Sequence, residues 1–409
     1  MSQSSFPITT RLEVKNFRSL TDVSIDLDRL TVFVGKNGAG KSNVVDAIRF
    51  IRDALNLGLD TAISNRHGMS AIRKWSAKGR PFDVIFKLSF KGIGWTGEYG
   101  FSLGSETRGE YRVKGEHCSI QTGRGTQTFE LKEGKLLRAE FPDSPTQNEL
   151  PDPDASLSPI QGTVPDHFMN WLTSSNPNTT LYLANVAAGN FHIIRRFIKS
   201  MGFYTLSTDL LREPQKPSNV TPLDEKGQNL SSVLREMMKD KQAAISTISQ
   251  ALGQIVPGIR DFSVAQVGGY FVTRLHHESG SAFELAQESD GTLRMLGILT
   301  ALYQVPPRTL SVIEEPELTI HPGALGVLCD AIREASSFSQ VLITTHSPDL
   351  IYHFDAENLR VVENLEGETQ VGLVEVGQRE AITKKLFAPG ELMRMEGLRR
   401  EIPHLPSSR

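Results

Sequence analysis

Eight residues constrain this chain more than any others: Gly35-Lys36-Asn37-Gly38-Ala39-Gly40-Lys41-Ser42, the pattern G-x-x-x-x-G-K-[ST]. An apolar run, LTVFVG, leads into them, and Val44, Val45, Ile48, Ile51 and Leu55 follow at helical spacing. Strand, glycine loop and amphipathic helix form the context this pattern requires. The glycines let the backbone curl so that its N–H groups point at phosphate oxygens, and the helix amino end adds partial positive charge. In such a loop Lys41 neutralises the β and γ phosphates and Ser42 holds Mg²⁺.

Two more strand ends carry chemistry. Leu310-Ser311-Val312-Ile313-Glu314-Glu315 is an apolar strand finishing in two acids. One carboxylate belongs beside a metal and one beside an attacking water. By position Glu314 takes the metal role and Glu315 the general-base role. The first acid is usually Asp, so Glu314 departs from the common form by one methylene. The second strand, Val341-Leu342-Ile343-Thr344-Thr345, ends at His346. It brings an imidazole to the carboxyl edge of a sheet, where ligands bind in parallel α/β folds.

The rest of the chain fits around these motifs. Residues 11–34 read as two strands joined by a turn, and short alternating segments from Phe82 to Glu140 predict an antiparallel meander. Residues 141–165, rich in Pro, Asp and Ser, predict an exposed loop. Helix is expected around 166–200 and over Asn229–Gln254, followed by alternating helices and buried strands from Ala282 to Val374. The division is 1–145, a nucleotide lobe with an antiparallel β subdomain; 146–265, a loop and helical insertion; and 266–409, a returning lobe.

Several classes are excluded. Cys118 and Cys329 stand alone, without the spacing of a disulfide framework or zinc site. The amino terminus is polar, and the best apolar run, Met295–Val305, is about half of a membrane span. A cytoplasmic location is expected. Net charge is −3, so nucleic-acid binding would have to be local. Two basic stretches could track a phosphate backbone: Arg66, His67, Arg73, Lys74, Lys78 and Arg80, and Arg195, Arg196 and Lys199. His276, His277 and Glu278 are rejected as a metal site, because adjacent strand side chains point to opposite faces.

The order of these motifs resembles ABC-type ATPase heads of the SMC and RecF group. The resemblance is closest to the compact AAA_21 ATPases and to the ATPase half of OLD-family proteins. It covers nearly the whole chain, from LEVKNFRSLTDVSIDL to the closing FAPGELMRM. It implies ATP and Mg²⁺ as ligands, hydrolysis of ATP, and Asn16 and Arg18 near the nucleotide. It also implies a signature segment, Glu284–Arg294, in which Ser289 and Gly291 face the γ-phosphate of a second copy. Asp290 occupies the first glycine of the transporter version, LSGGQ. Glu317–Pro322 matches the D-loop, which crosses the dimer interface, and no glutamine stands clearly in a Q-loop. The implied assembly is a homodimer or higher homo-oligomer through these heads, controlling an effector protein on another chain in bacterial antiviral defence. The alternative role is a DNA-repair or genome-maintenance ATPase that clamps DNA. OLD nucleases carry a further metal-binding domain, and with about sixty residues after His346 no nuclease of that kind is expected here.

Overall fold

The computed structural model describes residues 6–74, 82–106, 110–140, 171, 176–185, 191–219 and 222–402. The predicted loop 141–165, Lys78 and Arg80 lie outside them, as does much of the stretch expected as helix around 166–200; of the rest, 176–185 is turn and helix occupies His192–Lys199.

The amino-terminal region forms three strands where the sequence predicted two: β1 (Ile8–Phe17), β2 (Leu20–Asp26) and β3 (Leu30–Val34). The extra strand arises because Leu20, Val23 and Ile25 alternate inward, and Arg18, at φ 49°, turns the chain sharply ahead of them. The meander is present as β4 (Val84–Gly92), β5 (Trp95–Ser105), β6 (Tyr111–Thr122), β7 (Gly125–Lys132) and β8 (Lys135–Glu140). It joins the first two strands in an antiparallel sheet of order β2-β1-β4-β5-β6-β7-β8. Helix α1 (Lys41–Asn56) packs its predicted stripe, including Val44, Val45, Ile48, Ile51 and Leu55, into the core beneath this sheet.

A second sheet has the order β16-β15-β3-β14-β13-β9, with β9 (Gly202–Tyr204), β13 (Leu310–Glu314), β14 (Gln340–Thr345), β15 (Leu359–Leu365) and β16 (Glu368–Gly372). All its pairings are parallel except β15–β16. Both faces are buried: Phe33, Val312 and Leu342 point into the α1 core, while Val32, Ile313 and Ile343 enter a second core. That is why these strands read as continuous apolar runs. The Gln340 side chain stitches the two sheets, accepting from Thr9 N and donating to Thr9 O and Asp28 O.

The second core is closed by helices Leu230–Asp240, Gln242–Ile255, Asp290–Tyr303 and Leu325–Ala335. The single helix predicted over Asn229–Gln254 is thus two, broken at Lys241. Buried positions run Leu230, Val233, Leu234, Met237 and resume only at Ile245. A continuous helix would present Lys241 to the core where an apolar side chain belongs. A small sheet of β10 (Ile259–Val267), β11 (Tyr270–His277) and β12 (Ala282–Glu284) completes this side, and β10 runs across the 265/266 boundary. Among the described residues no helix is long and apolar enough to cross a membrane.

Candidate functional site

Strand register assembles the site. Val34 pairs with Thr345, and Thr344 with Glu314. The next residues along these three strands are therefore Gly35, His346 and Glu315, side by side at one sheet edge. Sequence reasoning placed all three at strand ends, and the parallel register supplies their adjacency.

The glycine loop is shaped by close approach. A Cβ on Gly35 would lie 2.3 Å from Val362 O, and one on Gly40, at φ 106°, would lie 1.9 Å from Thr369 Oγ1. Thr369 caps the loop, donating to Ala39 O at 3.2 Å and meeting Ser19 Oγ at 2.6 Å. Lys36, Asn37 and Gly38 form the open part of the loop; all three are exposed, and a Cβ on Gly38 would meet nothing. Lys41 Nζ folds under, donating to Gly35 O (2.7 Å) and Lys36 O (3.0 Å). Burial depresses its pKa below the ordinary lysine range, opposed by the negative charges of Glu315 and Glu317. Ser42, in the first turn of α1, is exposed. On the β15 side of the loop a cavity of about 520 Å³ lies between Lys36–Ala39, Glu363–Leu365 and Met393–Arg399.

The acid turn is held from three directions. Glu315 adopts φ 46°, a left-handed backbone that is uncommon for a residue with a side chain. Its N–H donates to Thr344 O at 2.9 Å, and its carbonyl accepts from Arg294 Nη2 at 2.9 Å. Its Oε1 lies 3.0 Å from His346 Nδ1. Glu317, which sequence reasoning gave only to the D-loop, also belongs to this constellation. Its Oε1 accepts from Thr345 Oγ1 at 2.5 Å, its Oε2 is buried without a partner among the described residues, and burial raises its pKa. The signal was visible in the spacing E-E-P-E, which sets the third acid in the same turn as the second, closed by Leu318 N donating to Glu315 O at 3.2 Å.

Glu314 faces differently. Its Oε1 accepts from Arg49 Nη2 (2.8 Å) and Thr205 Oγ1 (3.3 Å). Ser42 and Glu314 offer a hydroxyl and a carboxylate, hard oxygen donors of the kind Mg²⁺ takes alongside phosphate oxygens. Their chemistry fits that ion.

Arg18 sits beside the loop helix, with Nη1 3.4 Å from Asn43 Oδ1 and Nη2 2.9 Å from Asp46 Oδ2. Asn16 is turned away toward Asp83 O, to which its side chain donates at 2.9 Å. Arg66, grouped by sequence with an exposed basic stretch, is buried and clamped by Asp46 and Asp53, so it offers no free charge to a phosphate backbone. Lys74 is likewise paired with Glu368.

Ser289 caps the helix Asp290–Tyr303, its Oγ accepting from Thr292 N at 3.2 Å, and it is exposed. Gly291 packs on the D-loop turn, where a Cβ would lie 2.7 Å from Thr319 O. Arg294, one turn into the same helix, donates to the carbonyls of Leu206, Glu314 and Glu315. It ties this helix to the acid turn.

Known proteins resemble this chain over most of its length. Residues 30–351 match the family model AAA_21, described as "AAA domain, putative AbiEii toxin, Type IV TA system". The chain is 19% identical over 401 residues to the Retron Ec83 probable ATPase of Escherichia coli, covering 86% of this chain and 71% of that protein. It is 22% identical over 411 residues to the endonuclease GajA of Bacillus cereus (strain VD045), covering 94% of this chain and 65% of that protein. Among solved structures, an SMC head bound to the C-terminal winged-helix domain of ScpA aligns over 91% of this chain and 99% of its own, at 15% identity and TM-score 0.51. That likeness concerns the fold, a mixed α/β ATPase head. With the loop, the acid turn and His346 gathered on one sheet edge, the chain belongs to the AAA_21 family of SMC- and OLD-related ATPases.

Proposed function

We propose that this protein binds Mg-ATP at Gly35–Ser42 and hydrolyses it in a site completed by Ser289 and Gly291 of a second copy. The observation that carries the reading is the convergence of Lys41, Glu315, Glu317 and His346 at one sheet edge, with Glu315 and Glu317 acting on the Lys41 charge. Water is deprotonated by Glu315 as its oxygen attacks the γ-phosphorus, and the bond to the β,γ-bridging oxygen breaks to release ADP. His346 steadies Glu315 through Nδ1 and presents its other nitrogen to the phosphate side. Ser42 and Glu314 would hold Mg²⁺, which would shield phosphate charge.

Closure of two heads over nucleotide then becomes a signal read by an effector on another chain, in a defence system of bacteria. Similarity to a retron ATPase over 86% of this chain and 71% of that protein supports this reading over direct DNA clamping, as does the burial of Arg66. Phosphate release by purified protein, measured with Mg²⁺ and with EDTA, tests the enzymatic part. Absence of Mg-dependent turnover at every protein concentration, with and without DNA, would refute it.

A further inference from the structure

The substitution of Glu for the usual Asp at position 314 has a structural counterpart. The longer side chain reaches helix α1, where Arg49 Nη2 donates to Oε1 at 2.8 Å, and Thr205 Oγ1 donates to the same oxygen at 3.3 Å. Among the described residues none donates to Oε2. One carboxylate oxygen is thus anchored by the protein and the other left free. Arg49 is itself shared. Its Nε is buried without a hydrogen-bond partner among the described residues and faces Glu225 Oε2 at 3.9 Å, a separation of opposite charges too long for a hydrogen bond. Glu225 is fixed by Arg52 Nη2 at 2.5 Å and by its carbonyl, which accepts from Thr205 N at 2.9 Å. Both arginines lie over the Phe203 ring.

We propose that Arg49 is the positioning residue of the metal-side acid: with Thr205 it fixes Glu314 by Oε1 so that Oε2 is presented to the magnesium shell, and Glu225 ties that position to the insertion. Thr205 and Glu225 both belong to the 146–265 span, and Arg49 follows Ser42 by two helical turns on the same face of α1. Movement of the 203–225 edge therefore redistributes Arg49 between two carboxylates, and the metal-side acid registers it. The inference rests on the proposed Mg-ATP site.

The test titrates Mg²⁺ against binding of a fluorescent ATP analogue, with an EDTA sample as the metal-free reference and Mn²⁺ paramagnetic resonance as a direct metal probe. Arg49→Ala should raise the Mg²⁺ half-point fivefold or more while metal-free nucleotide affinity stays within twofold, and Arg49→Lys should recover part of the shift. Glu225→Gln and Thr205→Val should each raise the half-point about twofold, and they carry the test if Arg49→Ala does not fold. An unchanged half-point in these variants overturns the proposal. So does an equal loss of binding with and without metal, which would mark Arg49 as a packing residue. Wild-type protein that binds no ATP would instead sink the Mg-ATP reading and this inference together.

Discussion

His346 Nδ1 lies 3.0 Å from Glu315 Oε1, joining the tips of β14 and the acid turn through two side chains that are each about one-third exposed. The pair follows directly from register, because the strands preceding it are hydrogen-bonded neighbours. Glu315→Gln keeps the shape and the contact to His346 but removes the proton acceptor. Turnover should fall by about 10²–10⁴-fold, the usual share of a general base. Mg-ATP affinity should be retained and closed dimer should accumulate on a sizing column. Wild-type turnover in this variant would move the base elsewhere, with Glu317 the next candidate.

A shared site predicts complementation between two dead variants. Lys41→Ala should lose nucleotide binding, and Ser289→Arg should bind ATP without hydrolysing it. Mixed, they form a heterodimer with one doubly broken site and one intact site, built from the loop of one chain and the signature of the other. Partial phosphate release should return on mixing, if one site can fire alone. A Ser289→Arg protein that hydrolyses ATP normally as a monomer would be fatal to the idea.

Gly40→Ala should abolish nucleotide binding. The added methyl collides with Thr369, the cap that holds the loop, at a backbone angle that penalises any side chain. Thr369→Ala is the relieving partner. Equilibrium dialysis with ATP should show part of the affinity restored in the double variant, and no restoration would separate the loop from its cap.

Arg66 forms a buried ion pair with Asp46 at 2.7 Å and another with Asp53 at 2.9 Å. Removing it leaves Asp46 with Arg18 alone and Asp53 with Arg52 alone. Arg66→Met should therefore cost at most the roughly 3–5 kcal/mol of breaking a buried ion pair, read by urea unfolding. An unchanged midpoint would mean that the neighbouring arginines, Arg18 and Arg52, take over both acids.

Glu116 is fully buried in the meander, accepting from Tyr182 N (2.6 Å), Leu183 N (2.9 Å) and Tyr99 Oη (3.1 Å). Burial outweighs those donors and lifts its pKa from an ordinary 4.5 to about 7. Folding thus takes up a proton between these values. The contribution is fully present below 4.5 and declines as pH rises to about 7, by about 3 kcal/mol in all. Melting temperatures of wild type should fall between pH 5 and pH 7.5 by more than those of Glu116→Gln. Parallel curves would rule this carboxyl out.

The parts of the fold legible in sequence were those governed by local rules. The loop, the α1 stripe and the buried strands of the second sheet each carry their own period or motif. What stayed hidden depends on pairs distant in the chain. Arg66 looked like surface charge because nothing local reveals Asp46 and Asp53 closing on it from helix α1. Glu314 looked like a conservative variant of Asp until Arg49 came within 2.8 Å. Lys241 shows the limit of periodicity: the apolar spacing was counted correctly on either side of it, and the charged residue between them decided the break.

The position of β3 has a consequence for how the protein is made. The strand feeding the glycine loop ends at residue 34, yet its neighbours are residues 340–345 and 359–361. During synthesis the loop strand must wait for some three hundred further residues before either edge finds its partner. Such long-range pairing slows folding, because loop closure precedes the contacts that reward it. The antiparallel meander, whose strands pair with immediate neighbours, can form first. A ribosome-bound chain arrested before residue 340 would thus display a folded β subdomain and a glycine loop without its sheet, unable to hold nucleotide. Competence to bind ATP arrives late and all at once, when β14 and β15 slot in on either side.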